Sequence, residues 1–350
     1  MRRFTARAVF RMPLSPAGKE VHALSTVVAA AAPVRPAQYK DYVTLLKPRV
    51  MSLVVFTGLT GLACADTPIN LFTACVAVLC IAVGAGASGA LNMAYDSDID
   101  ALMRRTRARP VPAGLISRAN AAGFGVVLSL FSVMLMAVAV NYLAAGLLAF
   151  TIVFYAVVYT IWLKRSTPQN IVIGGAAGAL PPVVGWAAAT GHMPLNAWLM
   201  FAIIFIWTPP HFWALSLYTS GDYAKAGVPM MPVVKGAKST RRQIFAYSIV
   251  LALVGIAPIF TGLGHIIYGV VSIVGGATFL GLAMRLLLSK SGDAPALGPD
   301  GLYSLKAGSR EARDLFAFSI LYLLLLFAAL LVEHAVTGPL LPGGIMGRLL

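Results

Sequence analysis

Nine apolar segments, each long enough to cross a membrane as a helix, run through this chain of 350 residues. A hydrocarbon core of about 30 Å requires about 20 apolar residues per helix. Backbone polar groups in lipid must be paired inside the protein, which a helix achieves within its own segment. The sequence therefore predicts an all-α integral membrane protein with nine transmembrane helices. These segments 1 to 9 are 48–65, 70–94, 119–140, 142–163, 169–189, 195–218, 244–263, 265–289 and 314–336.

The distribution of basic residues supports this count independently. The chain has 27 Lys and Arg residues against 12 Asp and Glu residues, which gives a net charge of +15. All the basic residues except Arg348 lie before or at the start of segment 1, or around the loops that follow segments 2, 4, 6 and 8. Because such loops mark the cytoplasmic side, the pattern predicts a cytoplasmic N-terminus. The basic face would attract anionic lipids and an anionic substrate, so nucleic acid is not an expected partner.

The chain divides into one long apolar domain and two short tails. Residues 1–40 form a basic N-terminal tail, residues 41–336 hold the nine segments, and residues 337–350 form a short C-terminal tail. No apolar region precedes residue 48, so a cleaved secretory signal is not expected. The N-terminal tail favours a protein of the bacterial inner (plasma) membrane. A transit peptide for the mitochondrial inner membrane is the alternative interpretation.

Segment 2 ends in three oxygen-bearing side chains, Asn92, Asp96 and Asp100, which we call the acidic ladder. On one helix they would fall within an arc of roughly 80° and about 6 Å apart in rise, while Asp98 would point elsewhere. Carboxylates at the end of a membrane helix are costly unless a partner or an ion neutralises them. The ladder predicts a site for a hard cation, and a solvated acidic helix end is the alternative.

The loop after segment 6 repeats the layout of the loop after segment 2, with acids first and bases after them. In the first loop the acids precede Arg105 and Arg109, and in the second loop Tyr218 and Asp222 precede Lys225. Segments 2 and 6 are four apart. Two four-helix halves followed by a ninth helix would therefore place both loops on the same face, beside one cavity.

Acids followed by bases suit a metal-bridged polyphosphate better than a cation pore. Mg²⁺ binds few carboxylates and completes its coordination with waters and phosphate oxygens, while Arg and Lys neutralise the remaining phosphate charge. For each base, a charge that only sets membrane topology is the alternative. The expected metal ligands are Asn92, Asp96, Asp100 and Asp222, and the expected phosphate ligands are Arg105, Arg109, Lys164 and Lys225.

Two proline pairs interrupt the apolar segments at similar depth, Pro181-Pro182 in segment 5 and Pro209-Pro210 in segment 6. Tandem prolines remove backbone donors and kink a helix, and broken backbone is tolerated at membrane depth where it is buried or lines a cavity. His211 follows the second pair, about 16 Å in rise from Asp222 if the helix continues to that residue. We interpret it as a contact for the non-phosphate end of a substrate, acting as base, donor or iron ligand. A core histidine bonded to a carbonyl is the alternative.

Three stretches of the chain, 92–114, 164–185 and 207–234, resemble the UbiA superfamily of intramembrane prenyltransferases. The string WTPPHFW at 207–213 is the part most specific for the branch of that superfamily that farnesylates haem. The resemblance covers residues 40–336 and implies a UbiA-type bundle of nine helices.

The resemblance implies transfer of the farnesyl group of farnesyl diphosphate to a vinyl group of haem b, with addition of water, giving haem O and diphosphate. It assigns the acidic ladder to the first acidic motif, and Tyr218 with Asp222 to the second. A further Asp that is usual in the second motif is replaced here by Ala226, so this site has one carboxylate. Mg²⁺ is the implied cofactor. Farnesyl diphosphate, haem b and the lipid bilayer are the implied partners, and haem A synthase or oxidase assembly proteins are further candidates.

The farnesyl cation of such a reaction needs a pocket with little water and with aromatic faces. No protein nucleophile is required. The aromatic candidates are Tyr95, Tyr155, Tyr159, Trp162 and Phe212.

Three other functions stay open from the residues alone. Another prenyl acceptor, such as an aromatic quinone precursor, would use the same ladder without His211. A transporter would use broken helices and intramembrane carboxylates as a coupling-ion site near the midplane, although these acids lie at one face. A non-catalytic assembly factor for a respiratory oxidase would need neither the ladder nor the bases.

Overall fold

The computed structural model describes residues 35–65, 67–293 and 309–337. The chain divides into two units between Arg35 and Pro36, and all the helices described here belong to the second unit. The predicted N-terminal tail lies outside the described residues up to residue 34, and the predicted C-terminal tail does so from residue 338.

The described residues form α-helices and one π-helical segment, without a strand. Eight spans are long and apolar enough to cross a membrane, and there are nine when the bent pair α1 and α2 counts as one. The prediction of an all-α membrane protein is confirmed. The helices are α1 (Tyr39–Leu45), α2 (Pro48–Ala63), α3 (Leu71–Tyr95), α4 (Ser97–Leu102), α5 (Arg118–Ala139), α6 (Tyr142–Val153), the π-helix (Phe154–Leu163), α7 (Lys164–Ser166), α8 (Asn170–Ala179), α9 (Pro181–Thr190), α10 (Leu195–Tyr218), α11 (Ser220–Lys225), α12 (Met231–Phe260), α13 (Ile266–Leu288) and α14 (Arg310–Thr337).

The first span is bent by 52° between α1 and α2. Lys47 lies at the bend with a φ of 51°, in the left-handed region that side chains other than glycine rarely adopt. Pro48 then starts α2 with its fixed φ. Strained backbone of this kind is retained where the surrounding structure enforces it, and Lys47 has such a contact, described below with the acidic ladder.

The seventh span begins earlier than the apolar pattern predicts. Segment 7 was expected to start at residue 244, whereas α12 begins at Met231 and runs through a break at Gly236, whose φ is 78°. Residues 231–243 are therefore helical, and the prediction that they form a loop is wrong. Their polar side chains hide the helix from a hydropathy pattern, while Pro232 in the first turn favours a helix start.

The two proline pairs behave differently. Leu180 separates α8 from α9, so the predicted break at Pro181-Pro182 is confirmed. The predicted break at Pro209-Pro210 is wrong, because both residues lie inside the continuous helix α10. This helix packs against α8, α12 and α14. We infer that these tertiary contacts offset the hydrogen bonds that the prolines remove.

Candidate active site

The acidic ladder spans the junction of two helices. Asp96 ends α3 and precedes α4, with φ −82° and ψ 6°. The backbone N–H of Asp96 donates to the carbonyl of Asn92 at 2.9 Å, and that of Asp100 donates to the carbonyl of Asp96 at 2.8 Å. Helical spacing is therefore kept across the junction. All three side chains are buried, with exposed fractions of 4% for Asn92, 0% for Asp96 and 1% for Asp100.

Asn92 joins three parts of the chain at the top of the ladder. Its Oδ1 accepts a hydrogen bond from Nζ of Lys47 at 2.7 Å. Its Nδ2 donates to Oδ2 of Asp96 at 2.7 Å and to Oγ1 of Thr160 at 3.1 Å. The bend between α1 and α2 thus brings a cation to the ladder, and the same cation has electrostatic interactions with Asp96 and Asp100.

Both carboxylates of the ladder have cationic partners. Nζ of Lys164 donates to Oδ2 of Asp96, and Nη2 of Arg165 lies 3.6 Å from its Oδ1. Nη1 of Arg109 donates to Oδ2 of Asp100 at 2.7 Å. Charged hydrogen bonds of this kind offset the desolvation of a buried carboxylate. The ladder, Arg109 and Lys164 are therefore brought together as predicted.

One oxygen of each carboxylate, Oδ1 of Asp96 and Oδ1 of Asp100, is buried without a hydrogen bond in the described part of the chain. A buried acceptor in this state is unfavourable, so the pair fits a cation or a donor supplied by a ligand. No three His, Cys, Asp or Glu side chains among the described residues are grouped to hold a metal ion. A metal ion here would take two carboxylates and oxygens from outside the protein, as Mg²⁺ does in phosphate sites.

The second acidic motif lies where α10 gives way to α11. Tyr218 ends α10 and is half-buried, and Asp222 lies in the first turn of α11. Asp222 is half-buried and has no ion pair with any described residue. It does not join Asp96 and Asp100 in a metal-binding group. Lys225, at the end of α11, is exposed.

Electrostatic interactions connect the two motifs through the π-helix. The hydroxyl of Tyr159 interacts with Asp96 of the first motif, with Arg105, and with Tyr223, which follows Asp222. Arg105 also interacts with Tyr218 and is itself exposed. Tyr159 and Arg105 thus interact electrostatically with residues of both loops.

The π-helix orients two tyrosines toward the ladder. The rings of Tyr155 and Tyr159 lie 5.3 Å apart, and Tyr155 interacts electrostatically with Asp96 and Asp100. A Cβ at Gly174 would lie 2.1 Å from Cδ2 of Tyr159, so only glycine permits this ring position. Segments of π-helix occur frequently at functional sites.

The other three aromatic candidates are exposed. Trp162 has an exposed fraction of 66%, and Phe212 is also exposed. The guanidinium of Arg165 lies 4.9 Å from the ring centre of Tyr95 and covers one face of that ring. Tyr155 and Tyr159 are thus the aromatic candidates that the structure brings to the ladder.

His211 is buried between two aromatic rings. Its ring stacks on Trp207 at 4.2 Å and on Phe316 of α14 at 4.6 Å. Its Nδ1 lies 2.6 Å from Oγ of Ser319. The histidine is buried and hydrogen-bonded, as in the alternative of a core histidine, but its partner is a hydroxyl on another helix and not a neighbouring carbonyl.

Sequence reasoning missed three residues of the site: Lys47, Arg165 and Ser319. The two bases were hidden among charges that also set membrane topology, and the position of Arg165 directly after Lys164 was the available signal. Arg165 donates two hydrogen bonds of 2.8 Å to Asp98 and lowers the pKa of that carboxyl to about 2. Ser319 gave no signal, because a serine in an apolar helix is common.

Comparison with known proteins gives a family, a relative and two solved structures. Residues 54–297 match the UbiA prenyltransferase family. The chain is 67% identical over 309 residues to the protoheme IX farnesyltransferase of Caulobacter vibrioides. This match covers 86% of this chain and 92% of that protein.

The two solved structures are similar in fold. A structure of digeranylgeranylglyceryl phosphate synthase matches with a TM-score of 0.65 at 16% identity, over 84% of this chain and 97% of that one. A UbiA homologue from Archaeoglobus fulgidus bound to GPP and Mg²⁺ matches with a TM-score of 0.57 at 18% identity, over 83% of this chain and 99% of that one. They show that the helices of this chain share the architecture of those proteins.

Proposed function

We propose one reaction for this protein from the premise that the chain belongs to the UbiA prenyltransferase family. The enzyme transfers the farnesyl group of farnesyl diphosphate to a vinyl group of haem b with addition of water, and it releases haem O and diphosphate. The acidic ladder carries this assignment, because one buried oxygen of each of its carboxylates lacks a hydrogen bond and because it lies among bases that would attract a diphosphate. The relative at 67% identity supports haem as the acceptor.

Mg²⁺ fits the ladder, since two buried carboxylate oxygens there lack hydrogen bonds. Asn92, Asp96 and Asp100 would hold the ion on one side, and Asp222 would hold it or a second ion on the other. When bound, Mg²⁺ stabilises the negative charge that grows on the departing diphosphate. The Mg²⁺ in the Archaeoglobus structure supports this choice of metal.

The bases of the site neutralise the negative charge of the diphosphate that the metal ion does not neutralise. Arg109 and Lys164 already lie at the ladder, and diphosphate would compete with the carboxylates for them. Arg105, Lys225 and the Tyr218 hydroxyl complete the phosphate side as the two loops close on the substrate. Positioned charges lower the barrier because they act where charge develops in the transition state.

The chemistry needs no covalent intermediate with the protein. The allylic C–O bond of farnesyl diphosphate breaks, and its electron pair leaves with the diphosphate. Tyr155 and Tyr159 present aromatic faces to the allylic cation and limit the access of water to it. The terminal carbon of the haem vinyl group then attacks, and water adds to the resulting cation and loses a proton to the solvent or to the released diphosphate, which gives the hydroxyl of haem O.

His211 contacts the haem at the other end of the site. It lies on α10, seven residues and about 10 Å in rise before Tyr218, so the acceptor and the diphosphate occupy different depths of one bundle. Such a separation suits a reaction in which the farnesyl chain extends away from the diphosphate toward the tetrapyrrole.

We place the enzyme in the bacterial inner membrane, with its N-terminus and its basic loops in the cytoplasm. The asymmetry of the basic residues supports this orientation, and the bacterial relative supports the compartment. Because haem O is apolar and stays in the bilayer, we propose that haem A synthase or an oxidase assembly protein receives it there.

The test is turnover by the purified protein in detergent with haem b, farnesyl diphosphate and Mg²⁺, followed by mass analysis of the extracted pigment. We expect a hydroxyethylfarnesyl haem whose formation stops when EDTA is added. An aromatic quinone precursor is tested in parallel as the acceptor. If the haem stays unchanged while this precursor is prenylated, the assignment of haem as the acceptor is wrong, and the assignment of the diphosphate site stands. Product formation that resists EDTA would overturn the role of Mg²⁺.

A further inference from the structure

His211 has one ring nitrogen with a partner and one without. Nδ1 lies 2.6 Å from Oγ of Ser319, and Oγ of Ser319 donates to the carbonyl of Phe316 at 2.6 Å. Nε2 has no hydrogen bond with any residue that the structure describes. The residue as a whole has an exposed fraction of 8%, and Nε2 is the ring nitrogen that a ligand could use.

The two short contacts of Ser319 determine which nitrogen of His211 carries the proton. Each contact of 2.6 Å needs one hydrogen between its two atoms, because two acceptors repel each other at this distance. The hydroxyl has a single hydrogen. If it pointed to His211, the contact with the Phe316 carbonyl would have none. The hydroxyl therefore donates to the carbonyl, Nδ1–H donates to the hydroxyl, and Nε2 holds a lone pair.

The surroundings also fix the direction of that lone pair. The ring of His211 lies between Trp207 and Phe316, with interplanar angles of 17° and 21°. Nε1 of Trp207 donates to the carbonyl of Ser319 at 2.8 Å, which ties α10 to the same turn of α14. Rotation of the imidazole would break the bond to Ser319 and both stacking contacts, so the ring is preorganised.

We propose that Ser319 is a positioning residue that holds His211 as the Nδ1–H tautomer, and that Nε2 of His211 is an axial ligand to the iron of the haem acceptor. This inference rests on the proposed function, in which haem b is the acceptor. A neutral imidazole with its other N–H bonded to an acceptor is the usual form of a metal-binding histidine. The serine hydroxyl supplies that acceptor here.

Ligation of the iron would orient the vinyl group as well as bind the haem. Phe316 contacts His211 at 4.6 Å and also Tyr218 at 6.1 Å. Phe316 therefore links the ring of the proposed haem ligand to the ring of Tyr218 in the second acidic motif. An axial bond at Nε2 would set the position of the haem relative to His211 and, through these packed rings, relative to that motif.

The first experiment uses the full-length enzyme with ferric haem b and no farnesyl diphosphate, so that no turnover occurs. In protein labelled with ¹⁵N-histidine, we expect pulsed EPR to detect one strongly coupled histidine nitrogen on the iron. His211→Ala should lose this signal and shift the haem absorption spectrum, and added imidazole should restore the spectrum. The absence of a coupled histidine nitrogen in the wild type would overturn the proposal without requiring any variant to fold.

The second experiment tests the positioning role of Ser319. Ser319→Ala should weaken haem affinity by about tenfold and yield a mixture of ligated and unligated iron, because the Nδ1–H tautomer is no longer fixed. Ser319→Thr retains the hydroxyl and should keep the wild-type spectrum. Ser216→Ala is the matched control, since Ser216 is also buried and donates to the carbonyl three residues earlier without contacting His211.

Two outcomes separate this inference from the proposed function. If the wild type farnesylates haem b while Ser319→Ala and His211→Ala keep the wild-type spectrum, the inference is wrong and the reaction stands. If the wild type neither binds nor farnesylates haem b, both are wrong. Should Ser319→Ala fail to fold, Ser319→Cys offers a similar size with a poor acceptor, and an unchanged spectrum in that variant would overturn the role of Ser319.

Discussion

The acidic ladder on α3 and α4 is buried and ion-paired, whereas Asp222 on α11 is half-buried and has no ion pair within the described part of the chain. Three basic side chains contact the ladder: Arg109 from the loop before α5, Lys164 from α7 and Lys47 from the bend before α2. Among the residues that the structure describes, no comparable set of ion pairs includes Asp222.

This difference separates two kinds of functional carboxylate. At the ladder, binding chemistry and fold stability share the same charges, because removing one partner leaves another charge buried and unpaired. At Asp222 the carboxylate can contribute to the reaction with little effect on the stability of the bundle. Activity and stability should therefore change together in one motif and independently in the other.

The largest effect is expected for Asp96→Asn. The variant loses a carboxylate at the ladder, and kcat should fall on the order of 10³-fold. It also leaves Lys164 without its buried partner, which should destabilise the protein by about 3–5 kcal/mol. Haem O formation and the thermal unfolding midpoint in detergent measure both changes. Full activity in this variant would contradict the catalytic role of the ladder.

Asp222→Asn is expected to lower kcat on the order of 10²-fold. Its unfolding midpoint should equal that of the wild type, because a half-buried carboxylate without an ion pair contributes little to stability. The same two measurements apply. A loss of stability as large as that of Asp96→Asn would show that Asp222 has a stabilising charged partner, as the carboxylates of the ladder do. The distinction between the two motifs would then be wrong.

Arg105→Gln should raise KM for farnesyl diphosphate by about tenfold, the value of one charge-assisted hydrogen bond, with kcat less affected. Arg105 is exposed and interacts electrostatically with Tyr218 of the second motif, so the variant should be as stable as the wild type. Arg107→Gln, also exposed and on the same loop, is the matched control and should keep the wild-type KM. If both substitutions raise KM equally, Arg105 contributes only to the overall positive charge of the loop and does not contact the diphosphate.

The smallest effect is expected for Asp98→Asn, which removes an acid next to the ladder but outside it. Activity should change by less than about twofold, and stability by less than about 1 kcal/mol, because the pair with Arg165 is partly exposed.

The pH dependence of this small difference has a defined sign. Arg165 lowers the pKa of Asp98 from 3.8 to about 2, so the stabilisation is complete above the ordinary pKa and disappears as the pH falls through the lowered one. Wild type and Asp98→Asn should therefore differ in unfolding midpoint near neutral pH and converge toward pH 2. A difference that grows with acidification would contradict this.

The spans and the ladder could be predicted from the sequence because both depend on helical spacing within one local segment, which is kept across the junction of α3 and α4. Apolar length gave segment 2 as 70–94, and α3 spans Leu71–Tyr95. The division between segments 7 and 8, marked by Gly262 and Gly264, is confirmed by α12 ending at Phe260 and α13 beginning at Ile266. The start of α12 and the continuity of α10 through its prolines could not be predicted, since packing rather than local pattern decides them.

The sequence by itself determined which residues are carboxylates, bases and membrane spans, because charge and periodicity are properties of a local segment. Only the tertiary structure decided which of them meet. Lys47 is 45 residues from Asn92, Lys164 is 68 residues from Asp96, and Ser319 is 108 residues from His211. Contacts over such separations depend on how whole helices pack and where they bend. The assignment of partners at the ladder and at His211 is therefore a property of the bundle.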